Sequence, residues 1–157
     1  MQIRVGQGWD SHALAADRRL VIGGVEIPHT RGLAGHSDGD VLAHAICDAI
    51  LGALSLGDIG THFPAGDAQW RDASSLLFLH QARELGAGGG WRIGNVDSTV
   101  ILAAPQLGPY RDSMRAALAA ALGIAAAQVS VKAKTPEGLP GGADVAMAHA
   151  VVLLTKD

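Results

Sequence analysis

Between residues 42 and 53 the apolar side chains Leu42, Ala45, Ile46, Ala49, Ile50 and Ala53 recur at helical spacing and define one face of a helix. Asp40, His44 and Asp48 recur every four residues on a different face. A helix apolar enough to be buried gains nothing from a row of Asp, His and Asp unless something binds there. Ser37, with Asp40 three residues on, predicts an N-cap and a capping-box-like start. Gly57 predicts a C′ glycine behind a helix that runs to about Leu56. The rest of the chain has to supply the other half of whatever site this helix carries.

The 157 residues suffice for one domain with its own core. Only 17% are charged while 48% are hydrophobic, a lean surface that favours self-association. A net charge of −3 argues against a nucleic-acid-binding protein and leaves anionic small molecules open as substrates. One cysteine, Cys47, permits no internal disulfide and fits a reducing compartment. No signal-peptide pattern and no apolar run of about 18 residues is found, so the expected location is the cytoplasm.

Along the chain, Gln2–Gly8 predicts a short strand ending at two glycines in a tight loop, followed by Asp10 and His12. If the backbone is extended there, Asp10 and His12 point the same way. Leu20–Ile27 predicts two short strands around a Gly23–Gly24 hairpin turn, and residues 29–35 a loop. A helix over about Ala73–Leu85 is expected to bury Leu76, Leu77, Leu79, Ala82 and Leu85 and to end at Gly86–Gly90. Strands are expected over Val96–Leu102, Val129–Lys134 and Val145–Thr155, and an alanine-rich helix over Tyr110–Leu122, closed by Gly123. The fold class is α/β, in the α+β two-layer sense: a mixed β-sheet packed against helices, as a single domain over residues 1–157.

Asp10, His12 and His44 would make a set of two imidazoles and one carboxylate, which suits zinc with an open fourth position. Taken alone, His44 could equally be a satisfied core histidine. Asp48, one turn on, is placed to orient His44 through its other ring nitrogen. The N-terminus of the helix offers free N–H groups to a phosphate, with His36 and Ser37 beside it, although Ser37 could serve only as a cap. Lys132 and Lys134 share a strand face ahead of Thr135 and Glu137. They read either as solvated edge residues or as the border of a second, harder metal such as Mg²⁺.

Gly8-Trp9-Asp10-Ser11-His12, Gly23-Gly24-Val25-Glu26-Ile27-Pro28, His36-Ser37-Asp38-Gly39-Asp40-Val41, Gly57-Asp58-Ile59-Gly60 and Asn95-Val96-Asp97-Ser98-Thr99 occur in that order. Together they resemble the 2-C-methyl-D-erythritol 2,4-cyclodiphosphate synthases of the non-mevalonate isoprenoid pathway, over nearly the whole chain. The resemblance implies a lyase, assembled as a homotrimer with active sites at subunit interfaces. In it the 2-phosphate of 4-diphosphocytidyl-2-C-methyl-D-erythritol 2-phosphate attacks the β-phosphorus and CMP leaves. Asp10, His12 and His44 then match zinc ligands, and Glu137 the ligand of a second divalent metal, Mg²⁺ or Mn²⁺. His36 and Thr135 match the positions that stabilise the transition state, with Ser37 on phosphate. Asp58, Ile59 and Gly60, continued by Phe63, Pro64, Ala65, Gly66 and Asp67, match the methylerythritol-binding loop. Leu102, Ala103, Ala104, Pro105, Gln106, Leu107 and Gly108, with Lys134, Thr135 and Pro136, match a cytidine-binding wall supplied by the neighbouring subunit.

The chain departs from the family pattern at Gln106, usually lysine, at Gly108, usually larger, and at Ala65, commonly acidic. Gly141-Gly142-Ala143-Asp144-Val145 replaces a Gly-Arg-Gly-Glu-Gly run near the trimer axis. Loss of that arginine removes a bidentate phosphate ligand, so weak or absent binding of an isoprenoid diphosphate is expected there. Two other readings use the same residues: a zinc-dependent phosphoesterase acting through a metal-activated water, and a binding module whose site has decayed.

Overall fold

The structure is a computed structural model and describes residues 1–157. Its first element is one long strand, β1 (Gln2–Ala16), which runs straight through both early glycines where a turn was expected. A Cβ on Gly6 would lie 1.9 Å from the Ala49 carbonyl oxygen, and one on Gly8 would lie 2.0 Å from that of Ala45. Glycine here admits a helix backbone against the strand, and has nothing to do with turning the chain. The hairpin of β2 (Leu20–Ile22) and β3 (Val25–Ile27) closes on Gly23 and Gly24 at φ +59° and +75°, the left-handed pair that a two-residue turn requires. Within the expected loop at residues 29–35 lies a short strand, β4 (Arg31–Leu33), paired antiparallel with the end of β1.

Helix α1 (Val41–Leu54) is buried along almost its whole length. It starts three residues later than expected: Asp40, not Ser37, is the N-cap, accepting from the Leu42 and Ala43 amides. It also ends earlier, with Ser55 in the left-handed conformation doing what Gly57 was expected to do. A four-residue helix, α2 (Ile59–His62), follows, capped by Asp58. Helix α3 (Leu76–Gly88) begins later than its pattern suggested and continues through Gly86. It buries Phe78, Leu79, Ala82 and Gly86, leaving Leu77 and Leu85 52% and 44% exposed. A contact from a distant segment bears on this: Asp38 accepts from the Ser75 amide just ahead of the first turn of α3.

β5 (Arg92–Ile101), α4 (Arg111–Leu122, closed by Gly123 in the left-handed region), β6 (Val129–Lys134) and β7 (Val145–Lys156) complete the chain. The main sheet has five strands in the order β4-β1-β7-β5-β6, antiparallel except for the β5–β6 pair. This is the mixed sheet packed against helices that the element order predicted. The helices cover one face, where Ala146, Ala148 and Ala150 of β7 continue the small-residue floor begun by Gly6 and Gly8. The opposite face is bare and carries Ile3, Val5, Trp9 and Val151, all more than a third exposed. No helix is long and apolar enough to cross a membrane.

Candidate metal centre

Side chains alternate along β1, so Gly6 and Gly8 share their face with Asp10 and His12. The two glycines lie beneath α1; the next two residues on that face reach the helix N-terminus, where His44 sits in the first turn. The ligand set thus comes from one strand and one helix, not from a loop as expected. Asp10 Oδ2 lies 2.9 Å from His12 Nε2 and 3.0 Å from His44 Nδ1, and the two ring nitrogens are 3.1 Å apart. Zinc held tetrahedrally at about 2.0–2.1 Å places its ligand atoms roughly 3.3 Å from one another, so this triangle fits such an ion with little movement. These are also the side chains whose ligand atoms cluster within 4.8 Å as a possible metal site.

The electrostatics agree. Burial works to raise the Asp10 carboxyl, but the hydrogen bonds and charge of His12 and His44 outweigh it and hold Asp10 well below the usual carboxylate range. Burial works to lower His12, and Asp10 outweighs that too, raising the imidazole above its ordinary value. The Ala34 backbone near the ring works in the same direction as Asp10. His44 stacks at 6.0 Å on Phe78, and its Nε2 lies 2.8 Å from Ser75 Oγ and 3.2 Å from Ser37 Oγ.

Three expectations need correcting here. Asp48 does not touch His44; its Oδ1 accepts from the Ile59 amide at 2.7 Å, tying α1 to the α2 loop. Ser37 caps no helix: it is buried, with its hydroxyl turned to His44 and Ser75. The α1 N-terminus is largely occupied by a carboxylate of the chain itself rather than left open to a phosphate. The fully buried Asp40 carboxylate takes the Leu42 and Ala43 amides at 3.1 and 3.0 Å and, across the turn, those of Gly23 and Gly24 at 2.9 and 2.6 Å. Burial pushes that carboxyl above its ordinary range.

A cavity of about 210 Å³ opens over the triangle. It collects Asp10, His12, His36, Ser37, His44, Ile59, Gly60, Phe63 and Ala65, together with Trp70 and Phe78, which sequence reasoning missed. His36 Nε2 donates to the Asp67 carbonyl at 2.9 Å, fixing the ring at the rim, while Asp58 caps α2, and Pro64 and Gly66 flank the cavity loop. A second cavity, of about 230 Å³, is lined by Leu102, Ala103, Pro105, Gln106, Leu107, Gly108, Lys134 and Thr135, and Ala104 belongs to the same loop. Thr135 Oγ1 donates to the Glu137 carboxylate, with Pro136 between them. The two cavities share no residue. Within one chain, therefore, His36 and the metal triangle are not brought together with Thr135 and Glu137.

Ser75 and Asp38 are the other residues that spacing did not reveal. Asp38 Oδ2 accepts from the Ser75 amide at 3.0 Å, and Oδ1 accepts from the Ser75 hydroxyl and, at 3.1 Å, from the Asp40 amide. Nothing local marks Ser75, which lies 31 residues beyond His44. Trp70 packs edge to face against Phe63 and Phe78 at 5.4 and 5.5 Å, and all three line the cavity.

The chain is similar to known proteins over nearly its whole length. A 2-C-methyl-D-erythritol 2,4-cyclodiphosphate synthase from Gloeobacter violaceus is 56% identical over 157 residues, 99% of this chain and 96% of that protein. The synthase of the same name from Syntrophomonas wolfei is 55% identical over 156 residues, 98% of this chain and 99% of that one. A solved 2C-methyl-D-erythritol-2,4-cyclodiphosphate synthase in a CDP-bound form superposes with a TM-score of 0.90 at 38% identity, covering 97% of this chain and 100% of that chain. The sequence profile of the YgbB family matches residues 3–155. With its strand-and-helix triangle of Asp10, His12 and His44, the chain belongs to the YgbB family.

Proposed function

We propose that the chain, as one catalytic domain over residues 1–157, converts 4-diphosphocytidyl-2-C-methyl-D-erythritol 2-phosphate into 2-C-methyl-D-erythritol 2,4-cyclodiphosphate and CMP, a step of the non-mevalonate isoprenoid pathway. The observation that carries this reading is the Asp10–His12–His44 triangle at the floor of a cavity, in a chain so similar to synthases of that name. An oxygen of the 2-phosphate forms a bond to the β-phosphorus, the bond from that phosphorus to the bridging oxygen breaks, and the oxygen leaves on CMP. Such a transfer needs positioning and charge neutralisation more than a protein nucleophile.

Asp10, His12 and His44 would hold Zn²⁺, and Glu137 a second ion, Mg²⁺ or Mn²⁺. When bound, these ions neutralise and polarise phosphate oxygens. Ile59, Phe63 and Phe78 give the carbon chain an apolar wall and keep water from competing as nucleophile. Ser37 borders the phosphates, and Asp58 to Asp67 frame the methylerythritol moiety. His36 is held at the rim by the Asp67 carbonyl and, with Thr135, steadies the transition state.

The loop Leu102–Gly108, with Lys134 to Glu137, takes the cytidine of a substrate bound mainly to another subunit. Separate cavities in one chain fit a site completed by a second copy. The bare sheet face of Ile3, Val5, Trp9 and Val151 is the surface on which a homotrimer would close. Gly141–Val145 lacks the arginine expected at the axis, so the trimer binds isoprenoid diphosphate weakly or not at all.

The test is incubation with the cytidylyl substrate, Zn²⁺ and Mg²⁺, followed by chromatography of products. CMP together with cyclic diphosphate supports the proposal. A ring-opened phosphate would identify a phosphoesterase instead, and no CMP at all would overturn the reading.

A further inference from the structure

We propose that Asp38 and Ser75 are positioning residues that fix which nitrogen of His44 carries the proton, so that Nδ1 is left bare for the metal. The inference rests on the metal reading above. The Ser75 hydroxyl has one hydrogen, and the geometry assigns it to the Asp38 carboxylate, which also receives the Ser75 amide at 3.0 Å. Ser75 Oγ then has only lone pairs to offer His44 Nε2, 2.8 Å away, so the hydrogen in that contact belongs to the imidazole. Ser37 Oγ, 3.2 Å from the same nitrogen, accepts a share of it.

His44 is in this way held as the Nε2–H tautomer, and its Nδ1 lone pair faces Asp10 Oδ2 at 3.0 Å and His12 Nε2 at 3.1 Å. His44 thus turns a bare nitrogen towards the Asp10 carboxylate and the His12 ring, an arrangement that a cation would satisfy. Ser75 is fully buried, so water cannot take over its part. A hydrogen-bonded partner behind a metal-bound imidazole fixes both ring orientation and tautomer, and loss of such a partner weakens metal binding about 10–100-fold.

The test compares wild type with Ser75→Ala, Asp38→Asn and Asp48→Asn. The zinc dissociation constant is measured by chelator competition, and folding is checked by circular dichroism. Long-range ¹H–¹⁵N correlation spectra of the metal-free proteins, above the titration of both imidazoles, report the His44 tautomer. Ser75→Ala is expected to bind zinc about 10–100-fold more weakly while staying folded. Asp38→Asn lets an amide donate to Ser75, which frees the Ser75 hydroxyl to donate to Nε2, so His44 is expected to shift towards the Nδ1–H form. Asp48→Asn, whose side chain meets Ile59 instead of His44, is expected to keep wild-type zinc affinity. A wild type that binds zinc tightly with His44 in the Nδ1–H form, or a Ser75→Ala protein that binds zinc as tightly as wild type, overturns the proposal. Failure of wild type itself to bind zinc would overturn the metal reading instead.

Discussion

His12 and His44 reach Asp10 from different elements, and His44 is held from behind by Ser75. His44→Ala removes one ligand and is expected to lower CMP release more than about 100-fold, with zinc content by elemental analysis falling in parallel. Retention of both zinc and turnover would exclude His44 as a ligand. Asp48 gives a prediction of a different kind. Burial raises its carboxyl above the ordinary 3.8, so ionising it is harder in the folded chain than in the unfolded one. The neutral group's contribution is fully present below that ordinary value and is lost as pH rises through the folded one. Asp48→Asn keeps an oxygen for the Ile59 amide and never ionises. It is therefore expected to melt at or slightly above wild type at neutral pH, by less than about 1 kcal/mol because the group is half exposed, and to converge with wild type in acid. A neutral-pH melt well below wild type would mean that the charge itself is needed.

At the scale of elements, α1 and β1 are the pair on which the centre depends. Gly8→Ala would drive a Cβ into the Ala45 carbonyl, a contact neither backbone can relieve without separating. A loss of about 3 kcal/mol in urea unfolding is expected, with weaker zinc binding although no ligand is altered. Wild-type stability and zinc affinity in that variant would show that the helix need not approach so closely. Much of this level was legible in sequence: the Gly23–Gly24 hairpin, β6 and the α4 stop at Gly123 follow from turn chemistry and periodicity that act over a few residues. The Asp10–His12–His44 set was legible as a choice of donor types, with strand alternation aligning Asp10 and His12. His44 alone could also have been a core histidine, and it joined them as a zinc-ligand match through the family resemblance. What stayed hidden depends on contacts between distant segments. Gly6 and Gly8 look like a turn until α1 is laid over them, the start of α3 is met by a bond from Asp38, and Ser75 meets His44 only once α3 packs beside α1.

For the molecule as a whole, one sheet face is sealed by helices and the other lies open. Trp9, Val5 and Ile3 on the open face come from the same strand that delivers Asp10 and His12 on the covered one, so the proposed assembly face and the metal triangle draw on alternate residues of β1. Trp9→Glu would place a charge on the bare face and is expected to give monomers in light scattering, with CMP release falling at least tenfold while zinc content is retained. An unchanged trimer would remove that face from the assembly.

The sheet also closes on itself in sequence: Gln2 pairs with Lys156 and Ala13 with Val145, so the strand carrying two of the three ligands is flanked along most of its length by the last strand of the described chain. Contacts of such long sequence separation slow folding, because the chain between them must be closed into a loop before they are rewarded. A nascent chain that has not yet released β7 therefore exposes β1 as an unpaired, partly apolar ribbon open to other chains.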